Sequence, residues 1–544
     1  MRNLRLSAND QGQNMPAYAL KCLSATITVS IFLSACSAFE PKPYTEEEMR
    51  QRVIDDQARM YREQEPVSGP ITFYEASARA LKYNLDYRLK LLESALASDL
   101  RDVTSHEMLP RVVASAGYAG RNNDSGGTSI GIEDRQVSLR PSTSEERYRT
   151  LYSLGLSWSL LDFGVAYYRT QQKNDQMLMA EERREKVAQN VLQDVRNAYW
   201  RALGAQRLLP EVDGLLLRTH RALTSAREAE GKGLLPRQDI LAYQRALLDS
   251  VYMLTVRRQD LEFARAELAA LMSLPPNTKM VLADIGEQPL PLVTNNVEQL
   301  ERLSLERRPE IMEEWYRKRV DMNDLKIAKA QLWPNVSFNY GYEYDSNKYL
   351  YNNDWNQTGI NVSMNLLRLA QYPDIKAAEA SQEKTDDMRR TALSMAILTQ
   401  VRVGLLRYQL ARQEVEFADE SLRVDQSLLS YAQSARGAAL GSELELIRAE
   451  GRYLLSRYQR EAAYSDAQAA WGRLYNSVGF EVMPKEIENH DVKTLAREIQ
   501  RTLEQQTSTN LLASSGSTPV QPATGQASAG QLSNRQEGTA NAAQ

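Results

Sequence analysis

The stretch from Val165 to Glu230 decides most of what this chain can become, because apolar residues recur in it at helical spacing with a single proline, Pro210, inside. At about 1.5 Å per residue an unbroken helix of that length reaches about 100 Å, too long for an ordinary globule. Pro210 removes one backbone donor and crowds the preceding turn, so the sequence predicts a kink or a break there. A turn at "GKGLLP", residues 231–236, leads into a second helical pattern from about Arg237 to Leu274, which "LPP" stops. The two helices form a hairpin, and only another hairpin is long enough to cover its apolar face.

Upstream, residues 71–109 read as one helix, with Ala, Leu and Tyr recurring at three and four and charges between them. It stops before Pro110. A short extended segment from Arg111 and a Gly/Ser/Asn-rich loop from Gly120 to about Glu146 follow. In "LYSLGLSWSLLDFG", Tyr152, Leu154, Leu156, Trp158 and Leu160 then alternate with Ser153, Gly155, Ser157 and Ser159. Period two means strand.

The series then repeats. Leu109-Pro110-Arg111-Val112 with Gly117-Tyr118 matches Trp333-Pro334-Asn335-Val336 with Gly341-Tyr342, an offset of 224 (334 − 110). Leu156-Ser157-Trp158-Ser159-Leu160-Leu161 matches Val362-Ser363-Met364-Asn365-Leu366-Leu367 at 206 (363 − 157), and Asp239-Ile240-Leu241 meets Glu445-Leu446-Ile447 at the same 206. The change of 18 falls in the first strand-connecting loop. The chain reads as a tandem duplication of helix, strand, loop, strand, long helix, turn and helix.

In the second repeat Val336, Phe338, Tyr340, Tyr342 and Tyr344 face one way, and Asn335, Ser337, Asn339, Gly341 and Glu343 the other. Ile360, Val362, Met364 and Leu366 likewise oppose Asn361, Ser363 and Asn365. Runs of this length approach the roughly 9 to 11 residues of a tilted membrane-spanning strand. A half-buried sheet in a soluble protein has the same alternation; the N-terminus and the long helices favour the membrane. Four strands cannot close a barrel, and an open edge in lipid leaves backbone groups unsatisfied. The barrel is therefore shared, and three chains give twelve strands.

At the N-terminus, Lys21, Arg5 and Arg2 precede the uncharged run from Cys22 to Leu33, the order of a secretory signal. That run is too short to span a bilayer. Met15 is an alternative start. Leu33-Ser34-Ala35-Cys36 resembles a bacterial lipobox, which implies cleavage before Cys36, acyl chains on it and, with Ser37 next, the outer membrane. The mature chain then keeps one cysteine and forms no internal disulfide.

Other function classes find no support in the composition. With Lys+Arg 66 against Asp+Glu 70, there is no basic field for nucleic acid. The histidines His106, His220 and His490 are isolated, so no zinc pair or triad forms, and there is no phosphate loop. Carboxylate pairs such as Asp55-Asp56 and Asp386-Asp387 point apart on a helix. We expect no enzyme, no cofactor and no metal. The Ser/Thr/Gln/Ala/Gly tail from about Thr502 is expected to be disordered.

Duplicated helix–strand–strand–helix units, "LPRVVASAGY" and "WPNVSFNYGY" at the helix-to-strand joints, "RRPEI" at 307–311 and "GLLPRQDILAYQ" at 233–244 make the chain resemble the TolC-family outer membrane factors over about residues 71–480. The resemblance implies a mixed α and β fold. Long antiparallel helical hairpins form a periplasmic α-barrel tunnel, and four transmembrane strands per chain contribute to a shared twelve-stranded trimeric β-barrel. It implies a homotrimer among outer membrane lipids of a Gram-negative bacterium, working with a periplasmic adaptor and an inner-membrane transporter of the RND or ABC type. The function implied is the exit duct of a tripartite efflux pump for small molecules. A type I protein secretion channel and a non-transporting scaffold lipoprotein are the alternatives.

The family's tunnel narrows at the periplasmic hairpin tips, which the resemblance puts at Gly231, Gly233, Gly437 and Gly441, with Asp239, Glu443, Glu445 and Arg448 at the aperture. The family pattern is a glycine and, six residues on, Asp-hydrophobic-Leu-Asp-Ala. Gly233 and Asp239-Ile240-Leu241 fit it, but Ala242 stands where the second acid would be. In the second repeat Ala439 replaces the glycine, Glu445 keeps the acid and Arg448 replaces the second one. A doubled acidic ring, a mixed Glu445/Arg448 ring and an ordinary charged helix start all remain open. The expected divisions are a signal peptide at 1–35, a lipidated extended segment at 36–70, repeats at 71–290 and 291–480, an extension at 481–501 and the tail at 502–544.

Overall fold

The computed structural model describes residues 42–62, 64–137, 140–232, 236–275, 278–284, 286–287, 290–293, 296–438, 442–481, 489 and 491–506. Two units divide at Gln64 and Glu65. In the first, a helix, α1 (Glu46–Tyr61), stands where the sequence predicts an extended segment. The reason is local. Thr45 and Glu48 form a capping box, with the Glu48 amide donating to Thr45 Oγ1 at 3.3 Å and the Thr45 amide to Glu48 Oε2 at 2.8 Å. Acids at Glu46, Glu47 and Glu48 favour the helix dipole.

The second unit opens with α2 (Phe73–Tyr83) and α3 (Leu85–Ser105), two helices where the pattern predicts one. Asn84 divides them by leaving helical geometry and accepting from the Tyr87 amide at 3.0 Å, so it caps α3. Strand β1 (Arg111–Gly120), a two-residue ribbon of β2 (Gly126–Gly127) and β3 (Ser142–Thr143), and β4 (Tyr148–Ser159) come next. Helix α4 (Leu160–Gly231) then runs unbroken through Pro210 for 72 residues, about 110 Å at the helical rise. The missing donor costs about 3 kcal/mol, but Leu208, Leu209 and Val212 around it are all buried, and their packing offsets that cost so that the helix does not break. Helix α5 (Arg237–Leu271) returns against it.

The second repeat has α6 (Val297–Arg307), α7 (Pro309–Ala330), β5 (Asn335–Asp345), β6 (Asp354–Ser363), α8 (Tyr372–Gly437) and α9 (Glu443–Val478). The offsets read from the sequence recur in the element ends. Helices end at Gly231 and Gly437 and restart at Arg237 and Glu443, 206 apart each time, while β1 and β5 start 224 apart. The extra length lies between β1 and β4. Residues of that loop are pinned by the short loop of the other repeat: Asn347 Nδ2 donates to the Ser144 carbonyl at 2.8 Å and the Glu146 amide to Asn347 Oδ1 at 3.1 Å.

Two buried clusters hold the helices. The larger gathers Tyr199, Trp200, Tyr408, Tyr464 and Trp471 where α4, α8 and α9 meet, with Phe73 of α2 beside them. Trp200 meets Tyr464 edge-on at 5.2 Å, and the Tyr199 hydroxyl donates to the carbonyls of Ile71 and Ala283, both at 3.2 Å. The second cluster joins the first hairpin to Ile447 and Leu454 of α9, and along α5 the residues Ile240, Leu247, Leu254, Leu261 and Leu268 are all buried at a strict spacing of seven (247 − 240). That spacing is a coiled-coil seam. A last helix, α10 (Val492–Gln506), crosses residue 502, where the sequence predicts the start of the disordered tail. Val492, Leu495, Ile499 and Leu503 form one apolar stripe on it, and α10 packs on α2 through it.

Candidate functional site: the sheet and the hairpin tips

The four long strands form one antiparallel sheet in the order β1-β4-β5-β6. The register places Val112, Leu156, Tyr340 and Thr358 in one row across it and Ala114, Leu154, Tyr342 and Asn356 in another. Trp158, Phe338 and Ile360 share a third row of the same face. The opposite face carries Arg111, Ser157, Asn339 and Gly359 in one row, and Ser159, Ser337 and Asn361 in another. The apolar face predicted strand by strand thus continues from β4 to β5 across the duplication boundary, and on β6 it turns polar at Thr358 and Asn356 toward the connecting loop. It is also uncovered: Ile360 is 75% exposed and Val362 63%.

Aromatic rings cluster at both ends of this face. Near the connecting loops Tyr118 stacks on Tyr148 at 6.2 Å, and Tyr152 lies against Tyr344 at 5.8 Å. At the helical end Trp158 meets Phe163 at 5.8 Å, and Trp333 is exposed nearby in sequence to β5. Outer-membrane barrels carry an apolar band flanked by aromatic girdles on their outer surface, and this face has a similar arrangement. Met364 and Leu366, which the alternation assigns to the last strand, lie beyond its end; Leu366 begins a 3-10 turn instead. Among the described residues no helix is long and apolar enough to cross a membrane.

At the other end of the hairpins, Gly231 and Gly437 are the last residues of α4 and α8, whereas Gly233, Gly441 and Cys36 lie outside the described residues. Asp239 and Glu445 are each the third residue of a returning helix and both are exposed. Glu445 closes a capping box with Ser442, accepting from its amide at 3.0 Å. Its carboxylate is therefore turned to its own helix start and not to Arg448, which is exposed and has no ion-pair partner among the described residues. Arg436 instead bridges to Glu443 at 3.3 Å across the turn. The structure brings Asp239 and Glu443 together, since both line one cleft of about 660 Å³ with Ile240 and Tyr243. The Tyr243 hydroxyl is pushed above its ordinary value by burial and then by Glu443, with Arg436 opposing.

The family model for outer membrane efflux proteins matches residues 77–273 and 300–480, more than two thirds of the sequence. The chain belongs to the outer membrane efflux protein family. Among solved structures it is similar in fold to the CmeC outer membrane channel of Campylobacter jejuni, with a TM-score of 0.59 at 13% identity, over 81% of this chain and 94% of that one. It is likewise similar to the open-state MtrE outer membrane channel of Neisseria gonorrhoeae, with a TM-score of 0.56 at 15% identity, over 75% and 88%. The outer membrane protein VceC of Vibrio cholerae aligns with a TM-score of 0.53 at 15% identity, over 75% and 96%. Comparison with curated protein sequences gives no significant match.

In this family member the "RRPEI" segment is a structural joint. Arg308 is nearly fully buried, donates to Glu310 at 2.7 and 3.1 Å and to Gln400 Oε1 at 2.5 Å, and so ties the start of α7 to α8. Lys186 of α4 reaches the same Glu310 carboxylate at 2.5 Å. Burial raises the Glu310 carboxyl, yet Arg308 and Lys186 outweigh it and hold it at about 2. The residue pattern gave no sign of this role, because the partners lie more than 90 positions away on other helices.

One turn of α4 before Lys186, Glu182 is pushed up to about 7, first by burial and then by Glu185, Glu181, Glu313 and Glu481. The folded chain therefore binds a proton below about pH 7 that the unfolded chain, with its ordinary 4.5, does not bind until lower pH. Stability from this group rises as pH falls from about 7 to about 4.5 and is flat below. We expect Glu182→Gln to be the more stable form at about pH 8 and to lose part of the wild-type gain on acidification. Denaturation midpoints between about pH 8 and 5 measure it.

Proposed function

We propose that three copies of this chain join β1 of one to β6 of the next, closing a twelve-stranded barrel in the outer membrane above a periplasmic tunnel of helical hairpins. The trimer is the exit duct of a tripartite pump for small molecules, docked to a periplasmic adaptor and an inner-membrane transporter. One observation carries this reading: a four-stranded sheet whose edge strands β1 and β6 have no partner on their outer side among the described residues, and whose apolar face is uncovered. In lipid each unsatisfied edge group costs several kcal/mol, so such a sheet is stable there only inside a closed ring. The polar face then lines a wet lumen. Purified protein in planar bilayers is expected to give discrete conductance steps and to run as a trimer. A trimer that stays electrically silent overturns the duct and leaves a scaffold.

The tip residues set the ion preference of the closed duct in this reading. Asp239, Glu443 and Glu445 occur three times around one opening, and like charges there attract cations over a Debye length of about 8 Å at physiological salt. Glu445→Gln is expected to lower the cation preference, most at low salt. Arg448→Ala is expected to raise it. Reversal potentials in asymmetric KCl measure both, and a null result for the pair makes them solvated helix starts.

A further inference from the structure

Away from the sheet and the hairpin tips, α4, α8 and α9 enclose a cavity of about 500 Å³. Four cations line it, Lys186, Arg308, Arg407 and Arg473, and no carboxylate does. Two of these cations already have a carboxylate partner. Arg308 and Lys186 share the one carboxylate of Glu310, which leaves that trio with a net positive charge. Arg407 and Arg473 are exposed at the mouth, and among the described residues neither makes a hydrogen bond or an ion pair. The acids Asp194 and Asp466 feel Arg473 only through its field.

Four like charges gathered around a partly enclosed space repel one another, and an anion inside converts the repulsion into attraction. Arginine suits that task, since its planar fork meets a phosphate or carboxylate with two parallel hydrogen bonds. The amides of Gln193 on α4 and Asn476 on α9 also line the space, and their nitrogens are already bonded to the carbonyls of Ala469 at 3.4 Å and Gln189 at 2.8 Å. The volume falls in the range of small-molecule sites, about 300–1,000 Å³. The walls come from both halves of the duplication, α4 from the first and α8 and α9 from the second, so an occupant bridges the repeats.

We infer that this cavity binds the oxyanion group, phosphate or carboxylate, of a small molecule, with Arg407 and Arg473 holding it at the mouth and Arg308 and Lys186 behind. The same chemistry could be met by a carboxylate side chain of a second copy, and the experiment separates the two. Full-length protein in detergent is melted while inorganic phosphate or citrate is titrated against chloride at fixed ionic strength. The melting midpoint is expected to rise saturably with phosphate or citrate. Arg407→Gln and Arg473→Gln are each expected to weaken the apparent affinity by about tenfold or more, whereas Arg423→Gln, whose arginine pairs with Glu420 on the surface of α8, leaves it unchanged. If neither anion shifts the wild-type midpoint beyond chloride, or if both mouth variants respond as the wild type does, the site is overturned. Loss of trimer in the mouth variants without any anion response in the wild type also overturns it and gives the cations to the second copy.

Discussion

Gly479→Ala is expected to destabilise the folded chain by about 2–5 kcal/mol. Gly479 ends α9 with φ at +81°, a left-handed conformation that costs a side-chain-bearing residue about 1–2 kcal/mol. A Cβ there would also stand 2.8 Å from the Arg308 amide nitrogen and 2.9 Å from the Arg307 carbonyl carbon. Both are backbone atoms, which cannot swing aside, and overpacking of that kind adds about 1–3 kcal/mol. The strain falls on the joint built from Arg308, Glu310 and Lys186. Gly214→Ala is the matched control, since nothing lies within 4 Å of its Cβ position in the middle of α4. It is expected to be neutral or to stabilise by about 0.5–1 kcal/mol. Denaturant midpoints of the two variants decide the matter; equal midpoints would mean that the close approach at Gly479 relaxes without cost.

Leu156→Arg is expected to prevent assembly of a heat-resistant oligomer in the membrane, whereas Ser157→Arg on the opposite face assembles. Leu156 sits in the apolar row between Val112 and Tyr340, and Ser157 in the polar row between Arg111 and Asn339. An arginine on a lipid-facing strand position near the bilayer centre costs about 2–4 kcal/mol, falling toward the interfaces. If three chains form the barrel, that cost is incurred three times per assembly. In the lumen an added arginine stays hydrated, and Arg111 already occupies that row. Gel mobility with and without heating reads the result. The reverse pattern would turn the barrel inside out.

The elements most legible in the sequence were those set by local backbone geometry. The strand alternation from Tyr152 to Trp158 and from Val336 to Tyr344 stands as read, and so does the helical character of α4, though not the interruption expected at Pro210. Some misses were also local, and their signals were present. Thr45 followed by Glu48 marks the capped start of α1, Asn84 marks the break between α2 and α3, and Leu495, Ile499 and Leu503 carry α10 past residue 502. In each case a short motif outweighed the composition around it. The seam from Ile240 to Leu268 was equally visible as a spacing of seven and shows that α5 pairs along its whole length.

The sequence alone determined the duplication, the sidedness of each strand and the helical hairpins, because a period of two or 3.6 is a property of consecutive residues. Tertiary structure decided which rows of the four strands coincide and that Pro210 leaves α4 unbroken. It also decided that Asp239 and Glu443 share a cleft and that one carboxylate, Glu310, serves cations from two helices. These depend on packing between segments separated by tens to hundreds of residues, where many small burial and hydrogen-bonding terms sum to more than any local preference, and no spacing along the chain records that sum.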